Sequence, residues 1–328
     1  MQKLIVTPNE AGQRLDKLLV KYMNQAGKGF LYKMMRKKNI TLNGRKCDGS
    51  ERLAEGDEIK LFLSDETIEK FSAKENPVSP AVPSYHKPDI IYEDSHILVV
   101  NKPSGMLSQK AKEGDESLNE VILSYLISSG HMPVEQLRTF KPSICNRLDR
   151  NTSGLVVAGR SLAGLQVMNA VFKDRSIHKY YQCIVKGILK EKQLIAGFLR
   201  KDEENNTVTI HPLEVENSVP IMTEYVPLAW GGGFTLLKVT LITGRSHQIR
   251  AHLASIGHPI GGDSKYGDRS VNQDLKARYN VRSQLLHSWM LKLPGDLYAP
   301  LDYLADREFF APLPEEFKRV LDGEHIQP

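Results

Sequence analysis

Residues 146–158 read Asn-Arg-Leu-Asp-Arg-Asn-Thr-Ser-Gly-Leu-Val-Val-Ala, a charged turn that leads directly into an apolar, β-branched segment. The turn places one carboxylate, Asp149, between Arg147 and Arg150. A nearby guanidinium stabilises the ionised form of a carboxylate, and arginine itself does not lose its proton. The apolar segment 155–158 predicts a strand that would hold the turn rigid. This pattern suits an anionic nucleophile, although it also fits a solvated surface loop.

The chain around this turn consists mostly of short strand patterns. Beyond residue 88 we predict strands at 90–92, 96–100, 155–159, 177–186, 207–211, 221–228, 234–242 and 285–293, and helices at 117–127 and 162–172. Ser161 is a suitable N-cap for the second of these helices. Strands that follow one another with few helices between them favour a mixed, mainly antiparallel sheet over a doubly wound parallel one. The predicted fold class is therefore α+β.

Residues 1–63 predict a separate, smaller unit. Apolar side chains at helical spacing predict one helix over 15–23 and a second around 30–35, whose other face is basic. An Asn-Gly pair at 43–44 then predicts a hairpin turn, and 58–63 has the pattern of a strand. Two helices and a small β unit make an α/β domain of about 60 residues.

The segment 64–87 separates this unit from the rest of the chain. It is acidic and lysine-bearing, contains three prolines and has no apolar periodicity, so we predict a linker. A second domain is expected over 88–328, since a length of 328 residues is sufficient for two domains.

The positive charge of the chain is concentrated near its N-terminal end. The formal net charge is +5, and residues 1–63 alone hold 13 Lys or Arg against 7 Asp or Glu. Seven cations occur there without an acidic residue among them, namely Lys28, Lys33, Arg36, Lys37, Lys38, Arg45 and Lys46. Such a basic patch attracts the phosphates of a nucleic acid. A solvated, lysine-rich surface is the alternative interpretation.

Other features of the composition argue against several classes of protein. No stretch is apolar enough for a membrane span or a signal peptide, so we expect a cytoplasmic protein. Cys47, Cys145 and Cys183 are odd in number and form no Cys-x-x-Cys pair, so neither a disulfide nor a zinc site is expected. His247 and His252 are five residues apart instead of the four of a zinc-protease motif, so no metal is predicted. Glycine-rich nucleotide motifs are absent, and no cofactor is expected.

Two further segments carry candidate functional side chains. In Lys179–Gly187 the alternation of a strand places Tyr181 on one face with Cys and Val side chains, where a tyrosine is either a core residue or part of a site. In Ile242–Leu253 a strand runs into a glycine turn, and Ser246 can cap the helix that follows. The free amides of that helix would face an anion. Arg250, one turn inside, could reach a neighbouring carboxylate, although an ordinary capped helix fits as well.

The Asp149 turn, the Tyr181 strand and the Arg250 helix, in this order, resemble the signature of the RluA-type pseudouridine synthases. Further support comes from Val-Val-Asn-Lys-Pro-Ser-Gly at 99–105 and from Leu-Leu-His at 285–287. The resemblance covers nearly the whole chain. It implies an RNA-modifying isomerase with the pseudouridine synthase fold.

The N-terminal unit resembles the alpha-L RNA-binding motif. The residues that carry this likeness are Arg-Leu-Asp-Lys at 14–17, Thr-Leu-Asn-Gly at 41–44 and Glu-Gly-Asp at 55–57, together with the basic second helix. The resemblance implies that the basic patch contacts RNA. The candidate contacts are Lys33, Arg36, Lys37, Lys38 and Arg45.

The family pattern also implies roles for single residues of the larger domain. Asp149 corresponds to the catalytic nucleophile, and Arg147 to the arginine that enters the RNA helix as the target uridine flips out. Tyr181 corresponds to the tyrosine that packs against the base and assists a proton transfer, and Arg250 to the partner of the catalytic carboxylate. The family usually has His where this chain has Asn146.

The implied reaction converts uridine to pseudouridine without a change of oxidation state, so it requires no redox cofactor or metal. We predict large-subunit ribosomal RNA as the substrate and partner of a monomeric protein that does not bind a membrane. The same chemistry on transfer RNA and a non-catalytic, ribosome-associated RNA-binding protein are the alternatives. A hydrolase that used Asp149 would need a metal or a second carboxylate, and neither is evident.

Overall fold

The computed structural model describes residues 1–72 and 87–327. Its N-terminal part is a four-stranded antiparallel sheet with two helices, in the strand order β1-β4-β2-β3. The elements are β1 (Gln2–Ile5), α1 (Leu15–Tyr22), α2 (Lys28–Arg36), β2 (Ile40–Leu42), β3 (Arg45–Lys46) and β4 (Glu58–Leu61). Asn43 and Gly44 both have positive φ angles, of 50° and 74°, as a tight hairpin turn requires. The two predicted helices and the hairpin are confirmed.

A third helix, α3 (Asp65–Phe71), extends the N-terminal part beyond residue 63. Ser64 caps it by accepting a hydrogen bond from the Thr67 amide, and Ile68 is buried in the N-terminal core. The first nine residues of the predicted linker therefore fold back onto the domain. Two apolar side chains three positions apart, Ile68 and Phe71, are too short a pattern to show this in the sequence. The remainder of that linker, 73–86, lies outside the described residues.

The larger part of the chain is built on an eleven-stranded sheet in the order β11-β10-β12-β13-β9-β14-β8-β6-β5, with β15 beside β14 and β7 beside β8. The strands are β5 (Ile90–Glu93), β6 (Ile97–Lys102), β7 (Ser143–Ile144), β8 (Ser153–Gly159), β9 (His178–Lys186), β10 (Gln193–Asp202), β11 (Thr207–His211), β12 (Ser218–Gly231), β13 (Phe234–Leu241), β14 (Leu286–Lys292) and β15 (Glu308–Phe310). The pair β14–β8 is parallel, whereas its neighbours in the described sheet pair antiparallel. The mixed, mainly antiparallel α+β prediction is thus confirmed.

Helices pack around this sheet. They are α4 (Leu118–Ser128), α5 (Leu162–Asp174), α6 (Gln248–Ser255), α7 (Arg269–Tyr279) and α8 (Glu315–Gly323), with short 3-10 turns at Val134–Arg138 and Asp302–Leu304. Ser161 caps α5 as predicted, because its hydroxyl accepts a hydrogen bond from the Gly164 amide. Within the described ranges, no helix is long and apolar enough to cross a membrane.

The centre of the sheet fixes the position of the Asp149 turn. This turn ends where β8 begins, and β8 lies beside β14 through a close backbone approach at Gly154. Gly154 has a φ of +110°, and a Cβ there would lie 2.2 Å from the Ser288 carbonyl oxygen. Only glycine allows the two strands to come this close. The residues before β8 are consequently held at the middle of the largest element of the fold.

Candidate active site

Asp149 and Arg250 meet above the central strands. The Arg250 Nη1 donates a hydrogen bond of 3.0 Å to Asp149 Oδ2, across 101 positions of the chain. The Arg250 side chain is 6% exposed and that of Asp149 is 28% exposed. The cation that contacts Asp149 is therefore Arg250, while Arg147 and Arg150 are exposed on the surface of the turn. The result is a carboxylate with one buried, charged side and one open side.

A second carboxylate, Asp263, fixes the orientation of Arg250. Asp263 accepts from Arg250 Nε at 2.7 Å and from Nη2 at 2.9 Å, and the Lys265 and Tyr266 amides donate to its Oδ1. Burial alone would raise the pKa of this inaccessible carboxyl, but the hydrogen bonds and charge of Arg250 outweigh burial and lower it. Because Nε and Nη2 of Arg250 are both bonded to Asp263, Nη1 is the guanidinium nitrogen that remains to donate to Asp149. Sequence reasoning assigned no role to Asp263.

His247 lies near the same Asp149 oxygen that Arg250 contacts. Its Nδ1 is 2.9 Å from the Tyr266 hydroxyl, and its Nε2 is 3.9 Å from Asp149 Oδ2. Burial lowers the pKa of His247, although the charge of Asp149 opposes this. The predicted capping by Ser246 is wrong: the N-cap of α6 is His247 in a left-handed conformation, without a side-chain cap. The side chain of Gln248 turns back instead, and its Oε1 accepts from the Arg245 amide.

Tyr181 is buried on β9, where it pairs in register with Ser288 of β14. Burial raises the pKa of its hydroxyl, and the negative charge of the nearby Asp149 raises it further. The phenol therefore keeps its proton at neutral pH. The structure brings Asp149, Tyr181 and Arg250 into one region, although they are far apart in sequence.

The loop that follows β6 holds the backbone of the Asp149 turn. Lys102 is completely buried, and its Nζ donates to the carbonyls of Pro103, Met106 and Arg150 at 2.8–3.0 Å. Burial lowers the pKa of this lysine to about 7, and the charge of Asp149 opposes the shift. Ser108 Oγ donates to the Leu148 carbonyl and accepts from the Leu148 amide. Sequence reasoning used this loop only as support for the family resemblance.

Asn146, at the start of the turn, forms hydrogen bonds with β8, the strand that follows the turn. Its Nδ2 donates to the Leu155 carbonyl at 3.2 Å, and its Oδ1 accepts from the Val157 amide at 2.8 Å. Asparagine thereby satisfies one acceptor and one donor of the β8 backbone. The departure from the usual histidine is accommodated by local hydrogen bonding.

The basic patch predicted to contact RNA lies on α2 and the β2–β3 hairpin. The buried face of α2 consists of Leu31, Met34 and Met35, so its cations lie on the opposite side. The exposed members are Lys28, Lys33, Arg36, Lys37, Lys38, Arg45 and Lys46. Within residues 1–72 and 87–327 none of them, nor the exposed Arg147, forms a salt bridge, so their charges are free for an anionic partner.

His252 and two other histidines of this domain, His258 and His287, have separate hydrogen-bond partners. His252 Nδ1 bonds to Thr223, His258 Nδ1 to the Lys186 carbonyl and His287 Nδ1 to Ser153. In the portion of the chain that the structure describes, no group of three or more His, Cys, Asp or Glu side chains could hold a metal ion.

The chain is similar to proteins that are named as pseudouridine synthases. A family model described as RNA pseudouridylate synthase matches residues 96–255, which include Asp149, Tyr181 and Arg250. Ribosomal large subunit pseudouridine synthase C of Vibrio vulnificus is 30% identical over 315 residues, which cover 92% of this chain and 93% of that protein. Ribosomal large subunit pseudouridine synthase D of Haemophilus influenzae is 27% identical over 326 residues, 97% of this chain and 93% of that protein.

Among solved structures, human RNA Pseudouridylate Synthase Domain Containing 4 is similar with a TM-score of 0.58 at 19% identity. The match covers 73% of this chain and 94% of that one. At this level of identity the likeness concerns the fold.

Proposed function

The chain belongs to the RNA pseudouridylate synthase family, and from that premise we propose that it isomerises uridines of large-subunit ribosomal RNA with Asp149 as nucleophile. The reaction breaks the bond between N1 of uracil and the ribose, turns the base and rejoins it through carbon. The observation that carries the proposal is the 3.0 Å contact between the partly open Asp149 carboxylate and the buried Arg250. This charge-assisted hydrogen bond orients the carboxylate as a nucleophile, while 28% of the side chain stays exposed to a substrate.

The two oxygens of Asp149 have different surroundings. Arg250 donates to Oδ2, and His247 is also closest to Oδ2. From the described residues, Oδ1 receives no hydrogen bond. We therefore assign Oδ1 as the attacking oxygen, because its lone pairs are not engaged by a donor.

Tyr181 contributes a neutral phenol beneath the site. Because burial raises its pKa, the phenol stays neutral at neutral pH and does not act as a base. A neutral, buried ring beside Asp149 is compatible with the packing role that the family pattern implies for this tyrosine.

RNA binding is assigned to two surfaces. A base inside a duplex cannot reach a carboxylate that is 28% exposed, so the target uridine must flip out, at an unstacking cost of a few kcal/mol. Arg147 is exposed two positions before the nucleophile and would occupy the space that the base leaves. The cations of α2 and the hairpin, which form no salt bridge within the described residues, would bind phosphates.

The names of the relatives favour ribosomal RNA over transfer RNA as substrate. A non-catalytic RNA-binding protein would have no need of a buried Arg250 that is bonded to both Asp149 and Asp263. We further propose that the protein acts as a monomer in the cytoplasm, the compartment that holds its ribosomal substrate.

Asp149→Asn tests the proposal, because it removes the charge and keeps the shape of the side chain. We expect no pseudouridine in ribosomal RNA by carbodiimide primer extension, with RNA affinity and thermal unfolding close to the unmodified protein. Asp322→Asn is the matched control, since Asp322 is exposed on α8 and, within the described residues, its carboxylate forms no ion pair. Pseudouridine formation by Asp149→Asn at the rate of this control would refute Asp149 as nucleophile.

A further inference from the structure

The hydroxyl of Tyr266 determines which nitrogen of His247 carries the proton. The Val208 amide donates to the Tyr266 oxygen at 2.9 Å, and that oxygen lies 2.9 Å from His247 Nδ1. No other described residue accepts from this hydroxyl, so we assign its hydrogen to the bond with His247, in which Nδ1 is then the acceptor. A neutral imidazole that accepts at Nδ1 carries its proton on Nε2.

The imidazole is neutral at physiological pH. Burial lowers the pKa of His247, the cations Arg250 and Lys265 lower it as well, and the carboxylates Asp149 and Asp263 only partly compensate. One N–H group therefore faces the site, and it belongs to Nε2.

This N–H group lies beside the nucleophile without a partner. Nε2 is 3.9 Å from Asp149 Oδ2, beyond hydrogen-bond range, and no other described residue receives a hydrogen bond from it. The side chain is 10% exposed, so the ring is largely enclosed by the protein. Its backbone has a φ of +55°, a conformation that a residue other than glycine rarely adopts. The fold thus holds an open donor next to the reacting carboxylate.

We propose that His247 Nε2–H donates a hydrogen bond to a carbonyl oxygen of the target uracil, an inference that rests on the proposed function. A base that reacts at Asp149 must lie within a few Å of Nε2. Uracil offers two carbonyl acceptors, and when the bond to ribose breaks, negative charge develops on the ring and is shared by both oxygens. A fixed donor stabilises that charge because it needs no reorganisation during the reaction.

The enzyme arm of the test compares His247→Ala, His247→Gln and Tyr266→Phe in single-turnover reactions on a ribosomal RNA fragment. We expect His247→Ala to be about 10- to 100-fold slower, the effect of one hydrogen bond to a charged group. His247→Gln retains an N–H donor and should remain within about 5-fold of the native rate. RNA affinity should be unchanged in all three variants. Thermal unfolding should be unchanged in the two His247 variants, whereas Tyr266→Phe leaves the Val208 amide without its acceptor and should unfold at a lower temperature.

Tyr266→Phe keeps the ring and removes the hydroxyl that fixes the tautomer. It should slow the native protein several-fold, yet add nothing in the His247→Gln background, where no tautomer exists. An equal effect of Tyr266→Phe in both backgrounds would mean that Tyr266 acts on the fold alone, and would overturn the inference. Full activity of His247→Ala would overturn it directly.

The substrate arm replaces each carbonyl oxygen of the target uridine with sulfur, a weaker acceptor. The partner oxygen is the one whose thio-substitution slows the native protein and has no further effect on His247→Ala. Equal slowing of both proteins by both thio-uridines would refute a bond from His247 to the base. Native protein that forms no pseudouridine from unmodified RNA would instead refute the proposed function.

Discussion

Asp263→Asn exchanges one oxygen of a buried carboxylate for an amide nitrogen and leaves the shape of the side chain unchanged. In the native protein both oxygens accept from Arg250, at 2.7 and 2.9 Å. The amide keeps one acceptor and turns a donor toward the other guanidinium nitrogen, so one of the two bonds is lost. Arg250 then retains Asp149 as its single charged partner among the described residues.

The size of the expected loss of stability follows from the burial of the Asp263–Arg250 ion pair. Asp263 is 0% exposed and Arg250 is 6% exposed, so solvent hardly screens the change. Removing one partner of a buried ion pair costs about 3–5 kcal/mol, and we expect the lower end because Arg250 keeps its bond to Asp149. A loss of about 3 kcal/mol lowers the Tm by about 6–12 °C in a domain of this size. The single-turnover rate should fall about 10- to 100-fold, because Arg250 no longer holds Asp149 in one orientation.

Asp274→Asn provides the matched control. The Asp274–Arg278 pair is 3.0 Å long, close to the 2.7 and 2.9 Å of the Asp263–Arg250 pair, but its side chains are 51% and 47% exposed. An exposed pair four residues apart on a helix contributes about 0.3–0.5 kcal/mol, so this control should unfold and react almost as the native protein does. Thermal unfolding by circular dichroism and single-turnover pseudouridine formation measure both variants. Equal, small losses in the two variants would refute the claim that Asp263 positions Arg250.

Two further outcomes concern charge. Replacing the patch residues Lys33, Arg36, Lys37, Lys38 and Arg45 by glutamine should weaken RNA binding and reduce the slope of log affinity against log salt by up to about 0.9 per lost phosphate contact. The same change at Lys3 and Lys60, both paired with Glu58, should leave the slope nearly unchanged, and equal slopes in the two sets would exclude the patch. Burial lowers the pKa of both His252 and His287 to about 4 from an ordinary 6.5, so the unfolded chain binds more protons between those values. The free energy of unfolding in urea should therefore fall as pH drops from 6.5 to 4, by up to about 3 kcal/mol per histidine, and a flat profile would contradict this.

Much of the fold could be predicted because its elements have strong local patterns. The amphipathic α1, the Asn-Gly hairpin and the capped α5 each depend on residues within one turn of each other. Helix α7 was missed because Leu275 is its only fully buried side chain among the described residues, which leaves no apolar periodicity to detect. Strand β10 was also missed, although its side chains alternate between exposed and buried positions in the structure.

The candidate site could be predicted only in part. The contact between Asp149 and Arg250 was predicted from the family pattern, and the 3.0 Å hydrogen bond is present. Asp263 and Tyr266 follow Arg250 within one segment, yet their bonds to Arg250 and His247 depend on how the loop after α6 folds back. Neither the types of these residues nor their spacing in the sequence predicts these hydrogen bonds. The expected cap at Ser246 failed for the same reason, since a left-handed His247 shifts the start of the helix.

The two hydrogen bonds of Asn146 have a mechanical consequence. Its amide makes the contacts that a peptide group of a neighbouring strand would make, one with Leu155 and one with Val157. These two bonds close the Asp149 turn into a loop. The base of this loop is attached to β8, the strand that follows the turn. If an RNA helix contacts the exposed Arg147, as the proposed function requires, the force on the turn passes through the base of this loop into the eleven-stranded sheet. Asp149, at the tip, can keep its position while the nucleic acid beside it is deformed.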